Sequence, residues 1–255
     1  MITFSESQLM AWLSPIIWPF LRVLAMFSVA PVFSQRAIPM RAKIGLAFLV
    51  ALSAQATLAN QPVISLNGPQ ALSAVVQQIA IGVAIGFAVR VVFAVVELAG
   101  ELIGLQMGLN FAAFFDPGTN AQSNAVSRFL GNISVLMFVV INGHLMVLMA
   151  VIRSFESFPA DGSFIEAMTR LRLHELGTEL FASALWIALP MVALLLFVNL
   201  ALGIVSRIAP QMNIYAVGFP VTLVMGMVGL VATLPMMEQP LVMLLERTID
   251  MFATR

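Results

Sequence analysis

The feature that most narrows what this chain can become is a succession of apolar blocks long enough to cross a hydrocarbon layer. Six can be marked: Leu9 to Val32, Ile44 to Leu58, Ala71 to Val96, Val126 to Ile152, Leu180 to Ile208, and Ala216 to Leu245. A bilayer core about 30 Å thick needs about 20 apolar helical residues to span it. Only the second block, at fifteen residues, is short. In lipid every backbone polar group must be satisfied internally, which leaves helices or a closed barrel. A barrel is built from alternating strands of roughly ten residues, whereas these blocks are unbroken and rich in Leu, Ala, Val and Met. The expected fold class is an all-α membrane protein. Charge agrees with it, because 9% of the 255 residues are charged, against roughly 25% in an average soluble domain.

Twelve basic and twelve acidic residues cancel, and no basic patch suggests nucleic acid. The absence of cysteine excludes thiol catalysis, disulfides and thiolate metal sites. Met1 to Glu6 has neither a positively charged start nor a small-residue cleavage site, so no cleaved signal peptide is expected. Pro31, Pro39, Pro62, Pro69, Pro117, Pro159 and Pro210 lie at or between block ends, where helices stop. Pro15, Pro19, Pro190, Pro220 and Pro235 lie inside blocks and predict kinked helices in a larger bundle. Six crossings would put Arg36, Arg41, Lys43, Arg128 and Arg207 on one side, cytoplasmic by the positive-inside rule. Arg153, Arg170 and Arg172 in the connection from Arg153 to Glu179 would fall on the other. That connection is the only extended polar stretch and is too small for a soluble domain, so residues 1–255 read as a single membrane domain.

The segment RVVFAVVELAGELIGLQMG, Arg90 to Gly108, carries two superposed patterns. Arg90, Glu97 and Glu101 share one helix face, and Gly100, Gly104 and Gly108 form a small-residue series that permits close helix packing. Two carboxylates four residues apart in an apolar setting need a basic partner, water or a raised pKa. They admit a proton or ion path, or ion pairing between helices or subunits. Arg22 and Arg207 are further charges in or near apolar blocks, and acids of this chain or of a partner would account for them. His144 and His174 lack metal-ligand spacing. No nucleophile elbow, phosphate-cradling loop or HExxH occurs, so neither enzymatic activity, a metal nor a cofactor is expected.

The stretch GLQMGLNFAAFFDPGTNAQSN, Gly104 to Asn124, is a soft break between two long apolar blocks. Met107, Phe111, Phe114 and Phe115 supply deformable apolar bulk, and Asp116, Pro117 and Gly118 supply a stop. Such a composition suits a constriction that excludes water and ions at rest; a buried turn between helices is the other reading.

Four separated patches carry a resemblance: RAIPMRAKIGL (Arg36 to Leu46), GELIGLQMGLNFAAFFDPG (Gly100 to Gly118), NGH (Asn142 to His144) and NLALGIVSRIAPQMNIYAVGFP (Asn199 to Pro220). In order and spacing they resemble the FliR/SctT family of type III secretion export-gate proteins across nearly the whole chain. The resemblance implies protein translocation without catalysis. It implies a FliP-like part over about residues 1–178 and a FliQ-like helical hairpin over about 179–255. One copy would close a helical assembly of FliP and FliQ homologues around a pore, with FlhB at its entrance and unfolded flagellar proteins as cargo. The setting would be the bacterial inner membrane at the flagellar basal body, with the gate projecting above the membrane plane.

By the same resemblance, Met107, Phe111, Phe114, Phe115, Asp116 and Pro117 correspond to the pore plug. Arg90, Glu97 and Glu101 would belong to subunit packing, and Arg207 with Pro210 to Asn213 would lie at the bend of the hairpin. A virulence-type SctT subunit and a proton-coupled small-solute transporter using Glu97 and Glu101 are the competing readings.

Overall fold

A computed structural model describes residues 6–55, 69–109, 123–161, 163–170, 173–211 and 214–253. The described residues are helical, with no strand among them. The helices are α1 (Glu6–Val29), α2 (Met40–Ala54), α3 (Pro69–Gln106), α4 (Ala125–Val140), α5 (Gly143–Ser157), α6 (Phe164–Arg170), α7 (Glu175–Ile208), α8 (Ile214–Thr233) and α9 (Glu238–Ala253). A 3-10 turn, Leu234–Met237, joins α8 to α9 and carries Pro235. Pro15 and Pro19 lie within α1, Pro190 within α7 and Pro220 within α8.

Among the described residues, four helical stretches are long and apolar enough to cross a membrane: Trp12–Val29, Gln70–Gln106, Glu175–Ile208 and Ala216–Phe252. Counting α4 and α5 as one broken span makes five. This is fewer than the six crossings expected from hydropathy, for two physical reasons. At a rise of 1.5 Å per residue the 15 residues of α2 reach only about 22 Å. The fourth block is interrupted at Asn142, whose φ of 57° is the left-handed conformation that ends one helix before the next begins. By contrast, α3 runs on from Val96 to Gln106, past both glutamates, for 38 residues. It is about 57 Å long, nearly twice the hydrocarbon thickness.

The chain divides into two compact units. The first comprises Met1–Val91, Asn142–Leu176 and Leu244–Arg255; the second comprises Val92–Ile141 and Gly177–Met243. In the first, Trp18, Ala54, Ala74, Phe155 and Ala160 form a buried cluster ringed by Ile17, Leu21, Val75 and Ile152. The Trp18 indole is satisfied locally, donating to Ser14 Oγ at 2.7 Å. Helices α1 and α3 approach at Gly82 and Gly86. A Cβ on Gly86 would stand 2.9 Å from the Met26 carbonyl oxygen, and one on Gly82 would strike that of Arg22. Bare backbone is therefore what allows this packing.

In the second unit Phe93 of α3 meets Phe138 of α4 edge to face, with centroids 5.3 Å apart. A Cβ on Gly229 of α8 would come within 2.7 Å of Met191 Sδ and 2.8 Å of Leu194 Cδ2 of α7, so the α7–α8 hairpin also closes through a glycine.

Candidate functional site

The soft segment predicted between the third and fourth apolar blocks is held at both ends by the last turns of α3. At the near end Gly108 takes φ 80°. The Gly108 N–H donates to the Leu105 carbonyl at 3.1 Å and the Leu109 N–H to the Gly104 carbonyl at 3.0 Å. These two bonds are the Schellman pattern, which requires a left-handed residue one position past the helix end. Gly108 thus terminates α3, while Gly100 and Gly104 pack along it.

At the far end Asn124 caps α4, its Oδ1 accepting from the Ser127 N–H at 2.8 Å. Glu101 holds this cap from below. Its carboxylate accepts from the Asn124 backbone N–H at 2.9 Å and from Asn124 Nδ2 at 3.0 Å. Ser127 Oγ adds a bond to the Glu97 carbonyl at 2.8 Å. A Cβ on Gly100 would lie 2.5 Å from Ser127 Cα, and one on Gly104 would lie 2.6 Å from Asn124 Oδ1. Leu109 and Asn124 therefore both meet Gly104.

Phe111, Phe114, Phe115, Asp116 and Pro117 lie outside the described residues. Met107 is described, and it points inward. It is 2% exposed and fills the space left by the missing side chain of Gly226 on α8, where a Cβ would stand 2.6 Å from its Cε. Thr222, one turn earlier on α8, bonds the Phe219 carbonyl at 3.0 Å and faces the Met107 carbonyl at 3.5 Å. The methionine read as part of a constriction is thus also the contact between the end of α3 and the hairpin.

The charged residues of α3 separate into two kinds. Glu101 is occupied by Asn124. Arg90 and Glu97 are exposed, and Glu97 lies over Gly131 of α4, with Oε1 3.3 Å from where a Cβ would stand. Arg207 is exposed in the last turn of α7, where a cation favours the helix C-terminus. Pro210 and Gln211 follow it; Met212 and Asn213 lie outside the described residues.

Arg22 departs from the expectation that an acid would balance it. It is 0% exposed in the first unit, and among the described residues its guanidinium bonds only neutral groups. Nε donates to Gln78 Oε1 at 2.8 Å, Nη1 to Ser154 Oγ at 2.8 Å and Nη2 to the Phe158 carbonyl at 2.6 Å, while the Phe155 ring lies 3.5 Å away. Phe158 is the C-cap of α5. The negative end of that helix and the π-face of Phe155 therefore stand in for a carboxylate. No local pattern points to this arrangement, because its members come from α1, α3 and the end of α5. The sequence signal is that polar Gln78 interrupts an apolar block.

A cavity of about 290 Å³ lies beside this junction, with Gln77, Glu156, Ser157, Asp161 and Glu166 among its lining residues. Burial raises the Asp161 pKa, but bonds from the Ser163 hydroxyl (2.6 Å), the Ser163 N–H (2.9 Å) and Gln77 Nε2 (3.0 Å) outweigh it and hold the carboxyl below its ordinary value. No group of three or more metal-ligating side chains gathers among the described residues.

The geometry is that of a helical scaffold presenting an anchored segment. The chain matches the family described as bacterial export proteins, family 1, over residues 13–248. It is similar to the flagellar biosynthetic protein FliR of Pectobacterium carotovorum subsp. carotovorum, 41% identical over 238 residues that cover 92% of this chain and 90% of that one. The corresponding protein of Escherichia coli strain K12 is 40% identical over the same length and coverage. That of Bacillus subtilis strain 168 is 29% identical over 215 residues, 83% of each chain. With a family match over most of its length and two relatives at 40–41% identity across nine-tenths of it, this chain belongs to family 1 of the bacterial export proteins.

Proposed function

We propose that the chain is a structural subunit of the flagellar type III protein export gate, helping to form and seal the pore through which unfolded flagellar proteins leave the cell. The observation that carries this reading is its likeness to FliR proteins over 92% of its length. Those relatives favour flagellar over virulence-type secretion. The subunit works without catalysis, with energy supplied elsewhere in the apparatus. Its partners are FliP and FliQ homologues and FlhB, in a hetero-oligomer containing one copy of this chain, at the inner membrane and the basal body. Residues 1–178 form the FliP-like part and 179–255 the FliQ-like hairpin, with Arg207 near its bend. The apolar exposure of α7 and α8 supports burial against other subunits, since 22% and 17% of the two spans they lead are buried within the chain.

Within this reading, Phe111, Phe114, Phe115, Asp116 and Pro117 form a plug that Met107 anchors. The support is mechanical: a seal has to be soft where it meets cargo and fixed where it leaves the wall, and Leu109 and Asn124, on either side of 110–122, both meet Gly104. Deleting Phe111 to Phe115 in an assembled gate should raise ion leakage across the inner membrane while the complex still copurifies. Unchanged conductance would remove the sealing role. Deleting the whole chain should abolish filament export, and intact export without it would remove the gate reading altogether.

A further inference from the structure

Helix α2 wears its bulk on the outside. Its buried face is made of Ala47, Ala51 and Ala54, with Ala54 in the cluster around Trp18 of α1. Met40, Ile44, Leu46, Phe48, Leu49 and Leu52 are exposed, Leu49 to 60%. Water favours the reverse arrangement; small residues between helices and large ones outside suit an apolar medium. The exposed Ser53 hydroxyl agrees, since it donates to the Leu49 carbonyl of its own helix at 2.8 Å and needs no solvent partner. Yet α2 is too short to cross a bilayer. From Ile44 to Ala54 it carries no charge, a length of about 16 Å, or about one leaflet of a hydrocarbon core.

The charges gather at the other end. Arg36, Arg41 and Lys43 precede the uncharged run, and no acidic residue occurs between Glu6 and Glu97. Arg36 and Arg41 are exposed and Lys43 is half-buried; none of the three has a hydrogen bond or ion pair among the described residues. The turn that carries Arg36 is fixed to α1 by Phe33, which stacks on Phe27 at 4.6 Å, and the Ile38 N–H donates to the Gln35 carbonyl at 3.2 Å across it. Arg41 shares a helix face with Phe48 and Leu52, two and three turns on. A medium that is anionic at one level and hydrocarbon for one leaflet beyond it matches this helix from end to end. We propose that α2 lies in one leaflet with its outer face against acyl chains, and that Arg36, Arg41 and Lys43 bind the phosphates of anionic phospholipid headgroups. Three cations without a counter-charge select a headgroup of net negative charge over a zwitterionic one. This lipid seat is independent of the export-gate reading.

The test places photoreactive p-benzoylphenylalanine in place of Phe48 in the full chain, purified with the subunits that accompany it and reconstituted in vesicles of equal parts phosphatidylglycerol and phosphatidylcholine. After illumination the crosslinked lipids are identified by mass spectrometry. Phosphatidylglycerol should exceed phosphatidylcholine roughly fivefold or more, since one cation near an anionic surface is worth about 1 kcal/mol, and the excess should shrink as salt is raised. Arg36→Gln, Arg41→Gln and Lys43→Gln together should bring the ratio to that of the vesicle, while Arg36→Lys with Arg41→Lys should keep it. Equal capture of the two lipids by the native chain would overturn the headgroup site. A crosslink to protein alone would overturn the lipid face in favour of a subunit contact, and no crosslink at all would overturn it in favour of a wet one. If the glutamine variant does not accumulate, the salt series on the native chain decides: an excess that salt leaves unchanged overturns selection by charge.

Discussion

Helix α3 uses the same device twice, in two different surroundings. Near its middle, Gly82 and Gly86 admit α1 so closely that a Cβ would meet backbone oxygens. Near its end, Gly100 and Gly104 admit the start of α4. In the first case the cradle is apolar apart from Arg22, whose three bonds and stacked ring are sealed from solvent. In the second it is lined by a helix cap and a partly exposed carboxylate. A glycine series sets how near two backbones come; the groups around it decide whether the junction is a dry rivet or a hydrogen-bonded mount.

That contrast can be broken from both sides, most severely at Arg22. Arg22→Ala leaves Gln78 Oε1, Ser154 Oγ and the Phe158 carbonyl short of a donor in a dry site. Each acceptor left unsatisfied should cost about 1–3 kcal/mol, read as a large drop in melting temperature in detergent. Pairing Arg22→Met with Gln78→Leu should recover part of that loss, since volume returns and one orphaned acceptor goes.

Smaller effects should follow from single methyl groups. Gly82→Ala and Gly100→Ala each force backbone apart, at a cost of about 1–3 kcal/mol, but they should differ in kind. The first should lower melting temperature alone, whereas the second moves Ser127 and with it the mount of 110–122, and should also raise ion leakage through an assembled gate. Equal leakage from both would erase the distinction drawn here. Glu101→Gln removes one charged acceptor from Asn124 and should cost about 1 kcal/mol, visible as faster hydrogen exchange at the first amides of α4.

The least effect belongs to Asp161. Because its folded pKa lies below the ordinary value, its contribution is complete above that ordinary value, near 4. The contribution fades as pH falls through the lower folded value, and Asp161→Asn should flatten only that acid limb of a stability–pH profile.

Much of the architecture was legible in the apolar blocks, because burial and length are written into composition. Blocks one, three and five reappear as α1, α3 and α7. The true end of α3 was not legible, since Glu97 and Glu101 lower hydropathy while remaining good helix formers, and the stop is set by backbone geometry at Gly108. Nor was the break at Asn142, a single left-handed residue inside an apolar run. Arg22 was legible as an anomaly and not as a solution: Gln78 is 56 positions away and Ser154 is 132, and only folding brings them together. Of the segment singled out for sealing, the structure describes its two anchors.

Because Leu109 and Asn124 both meet Gly104, α3 fixes how far apart the chain leaves it and returns to it. Changing the number of residues between two such fixed points costs only a logarithmic closure entropy, about 0.6 kcal/mol per doubling. The chain between Leu109 and Asn124 can therefore change in length without shifting the register of α3 against α4.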